Sequence, residues 1–249
     1  MSKPTIVCVP GAWHQPEIYE ETMQILKAAG YPTIGLPLPS VGANPLKPDF
    51  TDDVKAIRDC LTRLIVSGGK NVVLVSHSYT GMPANEAPVR LGAKERSSKG
   101  LKGGVIRLVF IMAFAMPEGF QPTAGGAQMP DWMKVDMENG VVNVEPDDAK
   151  RIFYNDLTSD QGDTWPQSVG VYASQTTYNA LRYIPSTYVI GSNDQSTFTS
   201  EVVETMIKTA RTIEPSAFDV VETCDGGHCL MIGRPDWLAG VLRRAAGGE

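Results

Sequence analysis

The chain has 249 residues, 42% of them hydrophobic and 20% charged, which excludes a disordered or membrane-embedded chain and leaves room for one large domain with an insertion. Lys plus Arg number 22 against 28 Asp plus Glu, a net charge of -6, so there is no broad cationic surface for nucleic acid or an anionic bilayer. The start, MSKPTIVCVPGAW, enters an apolar strand without a basic leader or cleavable signal, no stretch reaches about 18 apolar residues, and Cys8, Cys60, Cys224 and Cys229 form no CxxC pair, so a soluble cytoplasmic protein is expected.

In chain order, short β-branched runs predict six strands: TIVCV (5–9), PTIGL (32–36), NVVLVS (71–76), VIRLVFI (105–111), STYVIG (186–191) and AFDVVE (217–222). Between them, segments 16–30, 50–67, 79–93, 199–211 and 235–245 have the lengths and apolar spacings of crossover helices. The pattern is that of a mostly parallel sheet covered on both faces, which presents ligands at the carboxyl ends of its strands. ERSSKGLKGG (95–104) reads as a solvated loop. From 113 to 183 the alternation lapses into a stretch rich in Pro, Gly, Met, Trp and Tyr, with helical signals near 146–156 and 165–180. This predicts a lid inserted after the fourth strand, with 1–112 and 184–249 forming the core.

The sharpest local signal is VVLVSHSYTGMPA, a strand, a tight turn and a helix. An esterase elbow needs small residues two before and two after its nucleophile, because strand and helix pass too close for larger ones. Ser76 and Thr80 flank Ser78 at those positions, with Gly81 one residue on. A plain helix cap is the alternative role for Ser78. The remaining triad members follow in the order this architecture requires: Asp194 in GSNDQS and His228 in CDGGHCLM, each just past a predicted strand. A serine hydroxyl needs a base for its proton, and the base needs a carboxylate to fix its tautomer. Asp225, three residues before His228, is the local rival for the acid and is assigned to the turn; Asp219 is assigned to a solvent-facing or edge position. The loop VPGAWHQP after the first strand places the N–H of Ala12, with that of Tyr79, as the expected oxyanion hole.

These residues give the chain its resemblance. Through PGAWHxPxxY (10–19), VSHSYTG (75–81), FYND (153–156), IPSTYVIGSNDQ (184–195) and GGHCLMIGRPDWL (226–238), it resembles the α/β-hydrolase superfamily. Within that superfamily it is similar to the branch of plant methyl-ester esterases, hydroxynitrile lyases and related bacterial and fungal ester hydrolases. The resemblance implies Ser78, Asp194 and His228 as triad, Ala12 and Tyr79 as oxyanion hole, and a lid that shapes the pocket. Thr80 departs from the usual glycine. The lyases of this branch carry a lysine directly after the histidine and a threonine in the oxyanion loop; Cys229 and Gly11 stand there, so the match is to the esterase side. A non-catalytic ligand-binding member would lack a triad residue, and all three are present.

Candidate pocket residues are Trp13, His14, Trp132, Phe153, Tyr154, Trp165 and Tyr178. Their soft and aromatic character, without an arginine cluster in the lid, points to a small or medium hydrophobic ester or lactone as substrate. No cofactor is called for. Cys224, His228 and Cys229 lack the spacing of a metal site. A monomer and a homodimer are both compatible with the sequence.

Overall fold

The computed structural model describes residues 2–157 and 164–248. In the main sheet, β1 (Thr5–Val9), β2 (Thr33–Gly35), β3 (Asn71–His77) and β4 (Gly104–Ile111) come first in the chain. The segment after β4 carries a separate antiparallel sheet of β5 (Lys134–Asp136), β6 (Val141–Asn143) and β7 (Gln167–Ser168). The chain then returns through β8 (Ser186–Gly191) and β9 (Val220–Cys224), giving a six-stranded sheet in the order β2-β1-β3-β4-β8-β9. All its pairings are parallel. Every residue of β1 and β8 is buried, as is all of β3 after Asn71, which is why these strands are continuous β-branched runs rather than alternating ones.

The covering helices are α1 (Glu20–Ala28), α2 (Thr51–Thr62), α3 (Gly81–Glu86), α4 (Ala93–Ser98), α5 (Pro146–Ile152), α6 (Ser200–Ile213), α7 (Leu230–Gly233) and α8 (Pro235–Ala245). In α6 the buried Val203, Met206, Ile207 and Ala210 fall at a helix's core spacing, and Thr199 Oγ1 accepts the N–H of Val202 as cap. Neighbouring β1 and β3 are separated in sequence by β2, which pairs on the far side of β1. The crevice beyond the ends of β1 and β3 is therefore the topological switch point, the usual ligand position in such a sheet.

Four expectations need correction. The loop read at 95–104 begins with α4, held because buried Arg96 donates through Nε to Gly103 O (2.9 Å) and through Nη2 to Lys102 O (3.0 Å). The helix read at 79–93 stops at Glu86, before Pro88 and before Arg90, whose φ is 61°. The helical signal at 165–180 resolves into β7 and a 3-10 turn at Val169–Ala173, since Gln167 and Ser168 pair with β6. The last strand starts at Val220 rather than 217, because Phe218 takes φ 53° and gives its N–H to Ser186 Oγ (2.7 Å).

Candidate active site

β3 ends in a strained turn. Ser78 sits at φ 56°, the left-handed region that a non-glycine residue enters only when its surroundings hold it there. Those surroundings are visible. Phe114 N–H donates to Ser78 O (3.1 Å), and the approach is so close that a Cβ on Gly81 would lie 2.2 Å from Phe114 O. On the other side a Cβ on Gly11 would lie 2.8 Å from Ser78 Cβ. The residues at the two customary glycine positions are accommodated by hydrogen bonds: Ser76 Oγ donates to Val109 O (3.2 Å), and Thr80 Oγ1 donates to Pro10 O, tying the helix start to the loop after β1.

Asp194 follows β8 and His228 follows β9, and their side chains meet in the buried interior. His228 Nδ1–H donates to Asp194 Oδ2 at 2.6 Å, leaving Nε2 as the ring's other nitrogen. The second carboxylate oxygen accepts the N–H of Ser196 (2.6 Å), and Ser196 Oγ lies 3.2 Å from the same His228 Nδ1. The main chain of His228 is held from below by His77, whose Nε2–H donates to His228 O (3.1 Å). Burial, with His228 and His14 nearby, keeps His77 neutral by pushing its pKa well below the ordinary value. Of the rival acids, Asp225 faces solvent and pairs with Arg234 (3.2 Å), while Asp219 pairs with Arg107 (2.8 Å) at the opposite end of β9.

The two loops expected to carry oxyanion donors are fixed by buried polar groups. His14 Nδ1–H donates to Ala12 O (2.7 Å), so its Nε2 accepts the hydroxyl of Tyr154 (2.8 Å). Tyr79 follows Ser78 in a 3-10 turn at Ser78–Thr80, whose first N–H groups have no intrahelical acceptor. Its hydroxyl donates to Asp53 Oδ2 (2.7 Å), a fully buried carboxylate that also accepts from Ser40 N–H (3.0 Å) and Ser40 Oγ (2.6 Å). Burial raises the Asp53 pKa, and these hydrogen bonds oppose the rise. Gln167 donates to Ser40 Oγ (2.8 Å), so the network reaches β7.

Ser78, His228 and Ser196 open on one cavity of about 210 Å³. Its walls include Trp13, Phe114, Phe120, Trp132, Phe153 and Phe198, and among the described residues no Asp, Glu, Lys or Arg lines it. Trp13, Trp132 and Phe153 thus line the cavity as expected, with Trp13 also anchored by its indole N–H on Val142 O (2.8 Å). Four expected pocket residues do not line it. His14 and Tyr154 are turned toward each other behind the first loop. Trp165 is 48% exposed, its main chain bonded to Trp13 O, and Tyr178 stacks on Tyr183 at 5.6 Å. Phe114, Phe198 and Ser196 were missed; only the positions of Phe114 just beyond β4 and of Ser196 and Phe198 beyond β8 hinted at them. Among the described residues no group of three or more His, Cys, Asp or Glu is placed to hold a metal ion. No helix among them is long and apolar enough to cross a membrane.

This arrangement defines an α/β hydrolase. A model of the alpha/beta hydrolase family matches residues 6–241, and the chain belongs to that family. It is similar to the alpha/beta hydrolase nvfD of Aspergillus novofumigatus, with 32% identity over 99% of this chain and 98% of that one. A probable hydrolase of Phoma sp. is 26% identical over 99% of this chain and 100% of its own length. Among solved structures, a pyrethroid hydrolase from Sphingobium faniae JZ-2 shares the fold with a TM-score of 0.75 at 17% identity, covering 98% of this chain and 97% of that one. Esterases are among the structural neighbours, polyneuridine aldehyde esterase with a TM-score of 0.73 at 18% identity, over 97% of this chain and 98% of that one.

Proposed function

We propose that this hydrolase cleaves a neutral, hydrophobic carboxylic ester or lactone through an acyl intermediate on Ser78. The observation that carries this reading is the meeting, on one uncharged apolar cavity, of a serine held at φ 56° and a buried His–Asp pair 2.6 Å apart. In the first half-reaction Ser78 Oγ attacks the carbonyl carbon and His228 Nε2 takes the serine proton. Asp194 holds the tautomer with the proton on Nδ1 and stabilises the imidazolium. The N–H groups of Ala12 and Tyr79 receive the oxyanion, and His228 returns the proton to the departing alkoxide. Water, activated by the same base, then releases the acid and restores Ser78.

Substrate class follows from the cavity. An anionic acyl group would enter without a cationic partner, at a desolvation cost that uncharged aromatic walls do not offset. Trp13 and Trp132 meet edge to face at 5.6 Å, and Trp132 and Phe153 at 5.5 Å, making an aromatic wall suited to a flat acyl or alcohol group. The lid role of the segment from 113 to 183 rests on these walls, since Trp132 and Phe153 come from it. Gly11 speaks against carbon–carbon lyase chemistry, because the threonine such enzymes place there would drive its Cβ against Ser78. The test is hydrolysis of aryl and methyl esters and aromatic lactones by wild type and Ser78→Ala at equal folded concentration. Loss of activity by roughly a thousandfold or more in the variant supports the reading; equal activity of the two proteins overturns it.

A further inference from the structure

The motif Phe153-Tyr154-Asn155-Asp156 lies in the segment between β4 and β8, yet its side chains reach three separate loops of the main domain. The Phe153 ring lies 5.4 Å from that of His228, and Tyr154 donates to His14 in the loop after β1. Asn155 Nδ2–H donates to Asn193 O (2.9 Å), the residue before Asp194. Asp156 Oδ2 accepts the N–H of Gly227 (2.9 Å), the residue before His228. The Asp156 side chain is 11% exposed and is backed by Arg234 Nη1 at 3.4 Å, while Arg234 Nε reaches Asp225 in the same loop.

The fit around Gly227 is tight. A Cβ there would lie 2.5 Å from Asn155 Oδ1 and 2.7 Å from Asp156 Oδ1, so both side chains are pressed onto the backbone that carries the histidine. The acid loop and the histidine loop also bond each other, with Asn193 N–H donating to Gly226 O (3.0 Å). Adjacent residues of one motif thus grip the main chain next to the acid and next to the base. An error of about 1 Å in such a pair is enough to cost on the order of a hundredfold in rate.

We propose that Asn155 and Asp156 are positioning residues that hold the Asp194 loop and the His228 loop in register, so that the histidine keeps its short bond to the acid. This rests on reading Ser78, Asp194 and His228 as the catalytic groups. The test compares wild type with Asp156→Ala, Asp156→Asn and Asn155→Ala. The first readout is the downfield NMR resonance of the His228 Nδ1 proton, assigned by its loss in Asp194→Asn; the second is kcat and KM on whichever ester the wild type cleaves. The expected result is an upfield move or broadening of that resonance in Asp156→Ala and Asn155→Ala, with kcat down by roughly tenfold and KM within about twofold. Asp156→Asn keeps an oxygen for the Gly227 N–H and should restore most of both. If Asp156→Ala does not fold, Asn155→Ala, whose side chain is at the surface, carries the comparison. An unmoved resonance in the folded alanine variants overturns the proposal whatever the substrate. Failure of the acyl-serine reading shows separately, as wild-type activity in Ser78→Ala.

Discussion

Acidification should destabilise this protein across a window set by its buried histidines, and His14 allows the size of the effect to be worked out. Burial is the main cause that holds its pKa at about 4 against an ordinary 6.5, opposed by its bond to Ala12 O. In the unfolded chain the same ring takes up a proton near the ordinary value. Between the two pKa values the unfolded state therefore binds the extra proton, so this contribution is complete above pH 6.5 and is lost as the pH falls toward about 4. At ~1.4 kcal/mol for each pH step, the interval amounts to about 3 kcal/mol. His77, held well below its ordinary value by burial and by its two histidine neighbours, adds a loss of the same sign. The perturbation is His14→Phe, which removes the titrating group along with its bonds to Ala12 O and the Tyr154 hydroxyl. Urea unfolding of both proteins at several pH values from about 7 to about 4 measures the outcome. The variant should be less stable at neutral pH and should lose about 3 kcal/mol less on acidification. Equal acid losses in the two proteins would refute the assignment of a neutral buried imidazole at position 14.

Asp194→Asn should lower kcat on the order of a thousandfold with KM little changed, because the amide no longer selects the tautomer that leaves Nε2 free for the nucleophile; steady-state kinetics measure it. Gly81→Ala should destabilise by roughly 3 kcal/mol or prevent folding, since the new Cβ meets the main chain of Phe114 at 2.2 Å and neither backbone can yield; thermal denaturation is the check. Trp132→Ala, which strips an aromatic wall from the cavity and leaves Ser78, Asp194 and His228 unchanged, should raise KM for an aromatic ester about tenfold while kcat stays within about twofold.

The parallel sheet was legible because its central strands are buried on both faces and so are written as unbroken apolar runs, and the Asp194–His228 pair was legible because both residues fall where such strands end. Thr80 looked like a blemish in the elbow; its hydroxyl is a fastening between the helix start and Pro10, a use that spacing cannot show. The small antiparallel sheet escaped notice, since strands of three, three and two residues carry too little periodicity to stand out and pair across a long stretch of chain. Composition marked the aromatic residues from 113 to 183 as a group but could not say which way each one turns. Trp132 and Phe153 face the cavity, Trp165 faces outward, and Tyr154 spends its hydroxyl on a histidine 140 positions away. Ser196 was missed because its importance lies in a 3.2 Å approach to His228 across a different loop.

Two serines lie at this site, and distinguishing them tests the acyl-serine chemistry most directly. Ser196 Oγ stands beside Nδ1, the nitrogen committed to Asp194, whereas Ser78 occupies the strained elbow on the same cavity. Treatment with a fluorophosphonate followed by intact mass and peptide mapping reads which one is the nucleophile. The expected result is one equivalent of label on Ser78, absent in Ser78→Ala, strongly slowed in His228→Ala and retained in Ser196→Ala. Label on Ser196, or none on Ser78 in the wild type, would contradict it.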